Sequence, residues 1–406
     1  MSEQNQKQRV VVTGLGCVSS LGIGWQELWQ NLIAGKSGIS PVEAFDTSGY
    51  DRHYGGEVKN FDPTKFMSKN KAAKIGRASQ MAIAASKLAI KDAGLVLDDN
   101  VRKRTAVCIG TTTGEIGILE KYNDGRFSKR DFFSKHFSVY PAHSLSVNIA
   151  REFKLRNRNC VFATACSSGN AALAYGVSLI RSGKADLALV GGADGFSRIL
   201  FTGFSRLGAV APQKCQPFDR NRQGMIPAEG AAILLLESHE HAIKRNAKIY
   251  AEILGSGLSS DAYHMTQPRS QGVAKAINKA LKNSGIASNR IDYISAHGTG
   301  TVENDKAECE AYKEVFEDAL KTIPVSSVKS MLGHTMGASS ALESIVCCLA
   351  MKYGEIPPTI NYQENDPECL INCVPNKSLR KKINIILNNS QAFGGSNVSI
   401  ILSVIR

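Results

Sequence analysis

Two stretches of this chain repeat each other's order of elements, and no other feature restricts the fold as much. The helical pattern Ala85-Ser86-Lys87-Leu88-Ala89-Ile90-Lys91-Asp92-Ala93-Gly94-Leu95 is paralleled by Lys275-Ala276-Ile277-Asn278-Lys279-Ala280-Leu281-Lys282-Asn283-Ser284-Gly285-Ile286. Each is followed by a short apolar strand, residues 105–109 in one case and 291–296 in the other. A second pair matches as well. An apolar run over 160–163 enters small residues and then a helix from Asn170, and residues 325–349 repeat that turn-then-helix arrangement. Residues 383–387 and 398–402 read as a closing antiparallel pair. These patterns predict an α/β protein made by internal duplication of βα units, with halves at 1–245 and 246–406. A chain of 406 residues can bury such a core without disulfides.

The strand over residues 9–16 ends in Gly14 and Gly16, but Ser19 stands where a dinucleotide fingerprint needs its third glycine. Residues 25–34 read as an amphipathic helix. The spacing of Ala72, Ile75, Ala78, Ala82, Ala85, Leu88 and Ala89 predicts one long helix over 71–94, stopped at Gly94. Residues 116–145 mix Phe127, Phe132, Phe133 and Phe137 with Lys129, Arg130 and Lys135, and read as a contact segment for a subunit interface or a binding pocket.

The net charge of +13 is spread over the chain, with clusters at 69–77, 129–130 and 380–382 and only 7% aromatic residues. That pattern favours an acidic protein partner over nucleic acid. The ten cysteines show no paired spacing, and there is no CxxC or HExxH motif, so no metal site is expected. The N-terminus lacks an apolar signal segment and no run approaches a membrane span. The expectation is a reduced, cytoplasmic enzyme without membrane insertion.

Three residues stand out chemically. Cys166, in Thr164-Ala165-Cys166-Ser167-Ser168-Gly169, falls at a strand-to-helix junction, where the positive end of a helix dipole favours thiolate. The alternative is a buried structural thiol. His297, in His297-Gly298-Thr299-Gly300-Thr301, follows a strand on a glycine-flexed loop that can face a cleft. His334, in Lys329-Ser330-Met331-Leu332-Gly333-His334, can sit at a helix N-terminus that keeps its ring neutral. Taken singly, each histidine is also compatible with an ordinary hydrogen-bonded residue.

Together with Asn389-Ser390-Gln391-Ala392-Phe393-Gly394-Gly395 and Ser259-Ser260-Asp261-Ala262-Tyr263-His264-Met265-Thr266, these motifs resemble the β-ketoacyl-acyl-carrier-protein synthases of the thiolase superfamily, in the elongating I/II class. The resemblance implies a thiolase-like fold of two duplicated halves in five αβαβα layers. It also implies an acyltransferase that condenses malonyl-carrier protein, with loss of CO2, onto an acyl chain held on Cys166. In that scheme His297 and His334 stabilise the enolate, and Lys329 orients His334 with Glu308 or Glu343 as its carboxylate partner. The backbone N–H groups of Cys166 and Phe393 form the oxyanion hole, with Phe393, Ala392 and Gln391 as a gate. Thr299, Thr301 and Thr266 bind the phosphopantetheine arm, and Lys69, Lys71, Lys74, Lys129 and Arg130 dock the acidic acyl carrier protein. No cofactor is required, and a homodimer is implied. Gln391 and Ala392 stand where the family pattern has Phe and Gly, which points toward a specialised polyene- or polyketide-type synthase as the alternative. A coenzyme A thiolase lacks support without a second catalytic cysteine, and a non-catalytic partner subunit would ordinarily have lost the nucleophile.

Overall fold

The structure, a computed structural model, describes residues 8–127 and 139–405. The first half runs β1 (Val10–Ser19), α1 (Arg77–Asp92), β2 (Thr105–Gly110), α2 (Ser144–Phe153), β3 (Asn159–Phe162), α3 (Ser168–Arg181), β4 (Leu187–Asp194), α4 (Arg198–Arg206) and β5 (Gly230–Ser238). The second half runs β6 (Ala251–Ser260), α5 (Ser270–Ser284), β7 (Tyr293–Ser295), α6 (Val302–Phe316), β8 (Pro324–Ser326), α7 (Ser339–Tyr353), β9 (Ile385–Ala392) and β10 (Ser396–Ser403).

The duplication extends to the pairing of five strands in each half, with Asn372–Cys373 added beyond β8 in the second. The first sheet has the order β3-β2-β4-β5-β1 and the second β8-β7-β9-β10-β6. In each, the first strand lies antiparallel to the last, the last antiparallel to the fourth, and the remaining pairs are parallel. The sheets join where β1 meets β6, through Val11↔Glu252 and Val12↔Ala251. Helices α3 and α7 pack between the sheets, α1 and α2 cover the outside of the first, and α5 and α6 that of the second. This is the five-layered thiolase-like arrangement.

Alternation along the strands builds the layers. On β4, Leu187 and Leu189 face the outer core with Met81 and Ile83, while Ala188 and Val190 face the central core with Leu173, Val177, Leu342 and Ile345. A polar network pins the two central helices to each other and to β9. Asn170 N–H donates to Ser340 Oγ at 2.9 Å, and Asn388 Nδ2 donates to Ser344 Oγ at 2.8 Å and to the Ser340 carbonyl at 3.1 Å.

The Gly14/Gly16 pair serves packing. A Cβ at these positions would lie 2.2 Å and 2.0 Å from the carbonyl oxygens of Ala89 and Ala85, so only glycine lets α1 lie against β1. Gly255 and Gly257 do the same for α5 against β6, 2.8 Å and 2.0 Å from the Ala280 and Ala276 carbonyls. The single helix expected over 71–94 is divided. A short helix, Lys69–Ala72, precedes a turn, and α1 starts after Gly76. The cause is Glu115, which is buried and accepts the Ser79 N–H at 2.7 Å at the head of α1. Of the expected contact segment, residues 116–127 form a helix and 128–138 lie outside the described residues.

Candidate active site

The parallel strands β3 of one half and β7, β8 and β9 of the other lead to a shared cavity of about 330 Å³. Carboxyl ends of parallel strands are where α/β sheets place ligands. Cys166, His297, His334, Thr299 and Phe393 all line it. Each central helix is entered through a one-turn 3₁₀ segment whose first residue is left-handed, Ala165 (φ 48°) before Cys166 and Met336 (φ 52°) before Gly337. Non-glycine residues reach that conformation at a cost of roughly 1–2 kcal/mol. The turn presents Cys166 at the head of α3, facing the cavity.

The histidine rings lie edge to face, with centroids 5.5 Å apart and an interplanar angle of 84°. Their environments fix their tautomers. His334 Nδ1 accepts the Met336 N–H at 3.1 Å, so its proton sits on Nε2. His297 Nδ1 lies 3.4 Å from Lys329 Nζ, which has only protons to offer, so its proton also sits on Nε2. Burial, and then the Lys329 charge, hold both rings well below the usual histidine range. They are neutral hydrogen-bond donors.

Lys329 corrects one expectation. It orients His297, donating to that residue's carbonyl at 2.6 Å as well as to its ring, while His334 is held by Met336 and by Ser339 Oγ at 3.0 Å. The reason is topological. Lys329 follows β8, the parallel neighbour of β7 from which His297 extends. Its carboxylate partner is Glu343 on α7, bonded directly to Nζ. Burial raises the Glu343 carboxyl to about 7. Glu308 takes a different place, accepting the N–H groups of His297 and Gly298, each at 2.8 Å, and the Tyr312 hydroxyl at 2.5 Å. It holds the histidine's backbone while Lys329 holds its ring.

The environment of Cys166 opposes the dipole argument. Burial pushes the thiol up to about 12, with the Lys329 charge pulling the other way. The free protein therefore carries a neutral thiol. Asp194, which sequence reasoning passed over, lies at the end of β4 and is fully buried. It accepts Thr111 Oγ1 (2.7 Å), Thr112 N–H (2.8 Å), Thr113 N–H (2.9 Å) and Gly337 N–H (2.7 Å). It thereby ties the His334 loop to the other half. Its sequence signal was available, because Gly191-Gly192-Ala193-Asp194 is a polar residue closing a buried strand, like the stretch before His297.

Thr299 and Thr301 line the cavity with their hydroxyls 2.8 Å apart, and Thr266 lines it from the 261–269 loop. Asp305 secures that region by accepting the N–H groups of Thr299 (3.1 Å) and Gly300 (3.2 Å). The Phe393 ring rests against Phe204 of α4, centroids 5.8 Å apart, and Gln391 and Ala392 adjoin it on the cavity wall. Lys69 and Lys74 are exposed and Lys71 is paired with Glu152 at 2.5 Å; none of the three lines the cavity. Lys129 and Arg130 lie outside the described residues.

A cysteine and two neutral donors at the meeting point of duplicated sheets place the protein among the thiolase-like enzymes. Comparison narrows that class. The β-ketoacyl synthase N-terminal domain matches residues 7–242, and the C-terminal domain matches residues 250–363. The chain is 37% identical over 409 residues to 3-oxoacyl-[acyl-carrier-protein] synthase 2 of Coxiella burnetii, covering 98% of this chain and 99% of the relative. Its structure is similar to that of the ishigamide ketosynthase/chain length factor, with a TM-score of 0.96, 42% identity and coverage of 98% and 100% of the two chains. It is also similar to a type II PKS ketosynthase solved with its acyl-carrier protein and bound to the hexaketide, with a TM-score of 0.89, 32% identity and coverage of 99% and 100%. The chain belongs to the β-ketoacyl synthase family, and it is an acyltransferase.

Proposed function

We propose that this protein condenses malonyl-carrier protein with an acyl chain held on Cys166, as a 3-oxoacyl-[acyl-carrier-protein] synthase. One observation carries the reading: His297 and His334, both neutral and both presenting Nε2–H, share a cavity with a cysteine at a helix N-terminus. Acidic carrier protein is the partner its relatives' names and the +13 charge support. Lys69, Lys71 and Lys74 are the docking cations we assign among the described residues.

In the first step Cys166 Sγ attacks the acyl thioester carbonyl, and the thiol's proton ends on the departing carrier thiol. The N–H groups of Cys166 and Phe393 stabilise the developing oxyanion. In the second step the malonyl C–C bond breaks and CO2 leaves, and the electron pair moves onto the thioester oxygen. That enolate oxygen accepts the two Nε2–H bonds, its carbon attacks the acyl-cysteine, and Cys166 departs as thiolate and is reprotonated from water. The thioester delocalises the carbanion, so no cofactor enters. Thr299, Thr301 and Thr266 line the path of the phosphopantetheine arm. A cytoplasmic location suits ten free thiols. Among the described residues no helix is long and apolar enough to cross a membrane.

Intact mass after incubation with acyl-carrier proteins tests the reading. Acyl adducts on the wild type and none on Cys166→Ala are expected, and absence of adducts with every donor refutes it. We also assign a homodimer. Among the described residues β3 is the open edge of the first sheet, its Cys160, Val161 and Phe162 are only partly buried, and it leads directly to Cys166. Light scattering of the purified chain should give twice the monomer mass.

A further inference from the structure

One side chain in the cavity takes no part in the chemistry above. Gln391 is 2% exposed and lines the cavity that Cys166 and Thr299 also line, yet among the described residues neither its Oε1 nor its Nε2 meets a hydrogen-bonding partner. Alternation along β9 explains its direction. Asn388 and Ser390 face the central helices and bond Ser344 and Asn170. Asn389 and Gln391 share the opposite face. Asn389 is satisfied there, donating to Glu308 at 2.9 Å and accepting from Ser399 Oγ at 2.8 Å. Of two amides on one face, one is bonded within the protein and the other is left without a partner at the cavity wall. A buried amide unpaired at both ends is unfavourable in the free protein, and a ligand offering a matching donor and acceptor relieves it.

We propose that Gln391 reads an amide of the substrate's thioester-bearing arm, pairing with its N–H and C=O together. This rests on the condensing reading above. A hydrocarbon chain offers neither group. The malonyl carboxylate only accepts, and would set its charge against Oε1. An amide satisfies both ends. In a phosphopantetheine thioester the nearest amide nitrogen is two carbons from sulfur, so an arm whose thioester is seated at Cys166 carries an amide into the cavity that Gln391 lines.

The test compares two malonyl thioesters as extenders for the acylated full-length enzyme. One is the N-acetylcysteamine thioester, and the other is its analogue with an ester oxygen in place of the amide nitrogen. Wild type should prefer the amide by roughly 10- to 100-fold in kcat/KM, mostly through KM. In Gln391→Leu the ratio of the two should fall to near one, with a melting temperature equal to or above that of the wild type because the unpaired amide is gone. A wild-type ratio near one overturns the proposal without needing any variant. So does a preference that survives in Gln391→Leu, which would give the reading to Thr299 and Thr301. A variant that melts lower and loses both substrates alike also overturns it, in favour of gate packing. Failure of wild type to extend with malonyl-carrier protein is a separate result, which removes the condensing reading and this proposal with it.

Discussion

Replacing Lys329 with Met should make the stability difference from wild type depend on pH in one particular window. Lys329 is 1% exposed, and its ammonium meets the Glu343 carboxylate and the His297 carbonyl. Glu343 has an ordinary value of 4.5 and is raised by burial to about 7 with Lys329 in place. A carboxyl raised in the folded state binds its proton more tightly there than in the unfolded chain. Its contribution to stability is therefore full below pH 4.5 and declines as pH rises toward the folded value. In the wild type that decline stops at about pH 7, where Glu343 ionises against Lys329. In Lys329→Met the opposing cation is gone, the folded value moves higher, and the decline continues. Between pH 6 and 7, above the range to which burial holds His297 and His334, the two proteins therefore differ by a constant, the lost bonds of the Lys329 ammonium, roughly 1–3 kcal/mol. Above pH 7 the gap widens by about 1.4 kcal/mol per unit, near 2 kcal/mol more by pH 8.5. Urea unfolding at pH 6, 7, 8 and 8.5 measures this. A gap that stays flat to pH 8.5 would refute the assignment of Glu343 as the linked group. Lys329→Met/Glu343→Gln should abolish the slope while keeping the constant part. The same variant frees Nδ1 of His297, so malonyl decarboxylation should fall roughly 100-fold.

Alkylation of Cys166 by iodoacetamide should accelerate about tenfold per pH unit from 7 to 9.5, because its thiol sits near 12; a plateau below pH 8.5 would show an activated thiolate instead. His297→Ala and His334→Ala should each keep acylation of Cys166, seen by intact mass, while losing malonyl decarboxylation by roughly 100- to 1,000-fold. Loss of acylation with decarboxylation intact would reverse the assigned roles. Gly110→Ala places a Cβ 2.3 Å from the Ser168 backbone carbon at the head of α3. It should cost roughly 1–3 kcal/mol and slow acylation, since the clash bears on the turn that holds Cys166. An unchanged melting temperature would contradict that packing.

The repeat was legible because it rests on local patterns: alanine-spaced helices, apolar strands between them, and reactive residues just past strand ends. Cys166, His297 and His334 could be found for the same reason. What local pattern does not carry is which strand ends meet. Lys329 is five residues from His334 in sequence but holds His297, because β8 lies beside β7 and the side chain reaches across to the neighbouring loop. Glu115, far from residues 71–94 in sequence, divides a helix whose apolar spacing is continuous. The duplication also hides its own most informative difference. Cys166 and Gly337 occupy matching turns, each after a left-handed residue at the head of a central helix. A nucleophile at the second turn is excluded by space, since a Cβ on Gly337 would lie 2.5 Å from the Thr111 Cα and 2.8 Å from Asp194 Oδ2. Its N–H is spent instead on Asp194, which fixes the loop bearing His334. One turn keeps a thiol and its twin keeps none, and the lost side chain is what lets the second half press its histidine loop against the first. The single reactive cysteine thus follows from how closely two copies of one motif must pack.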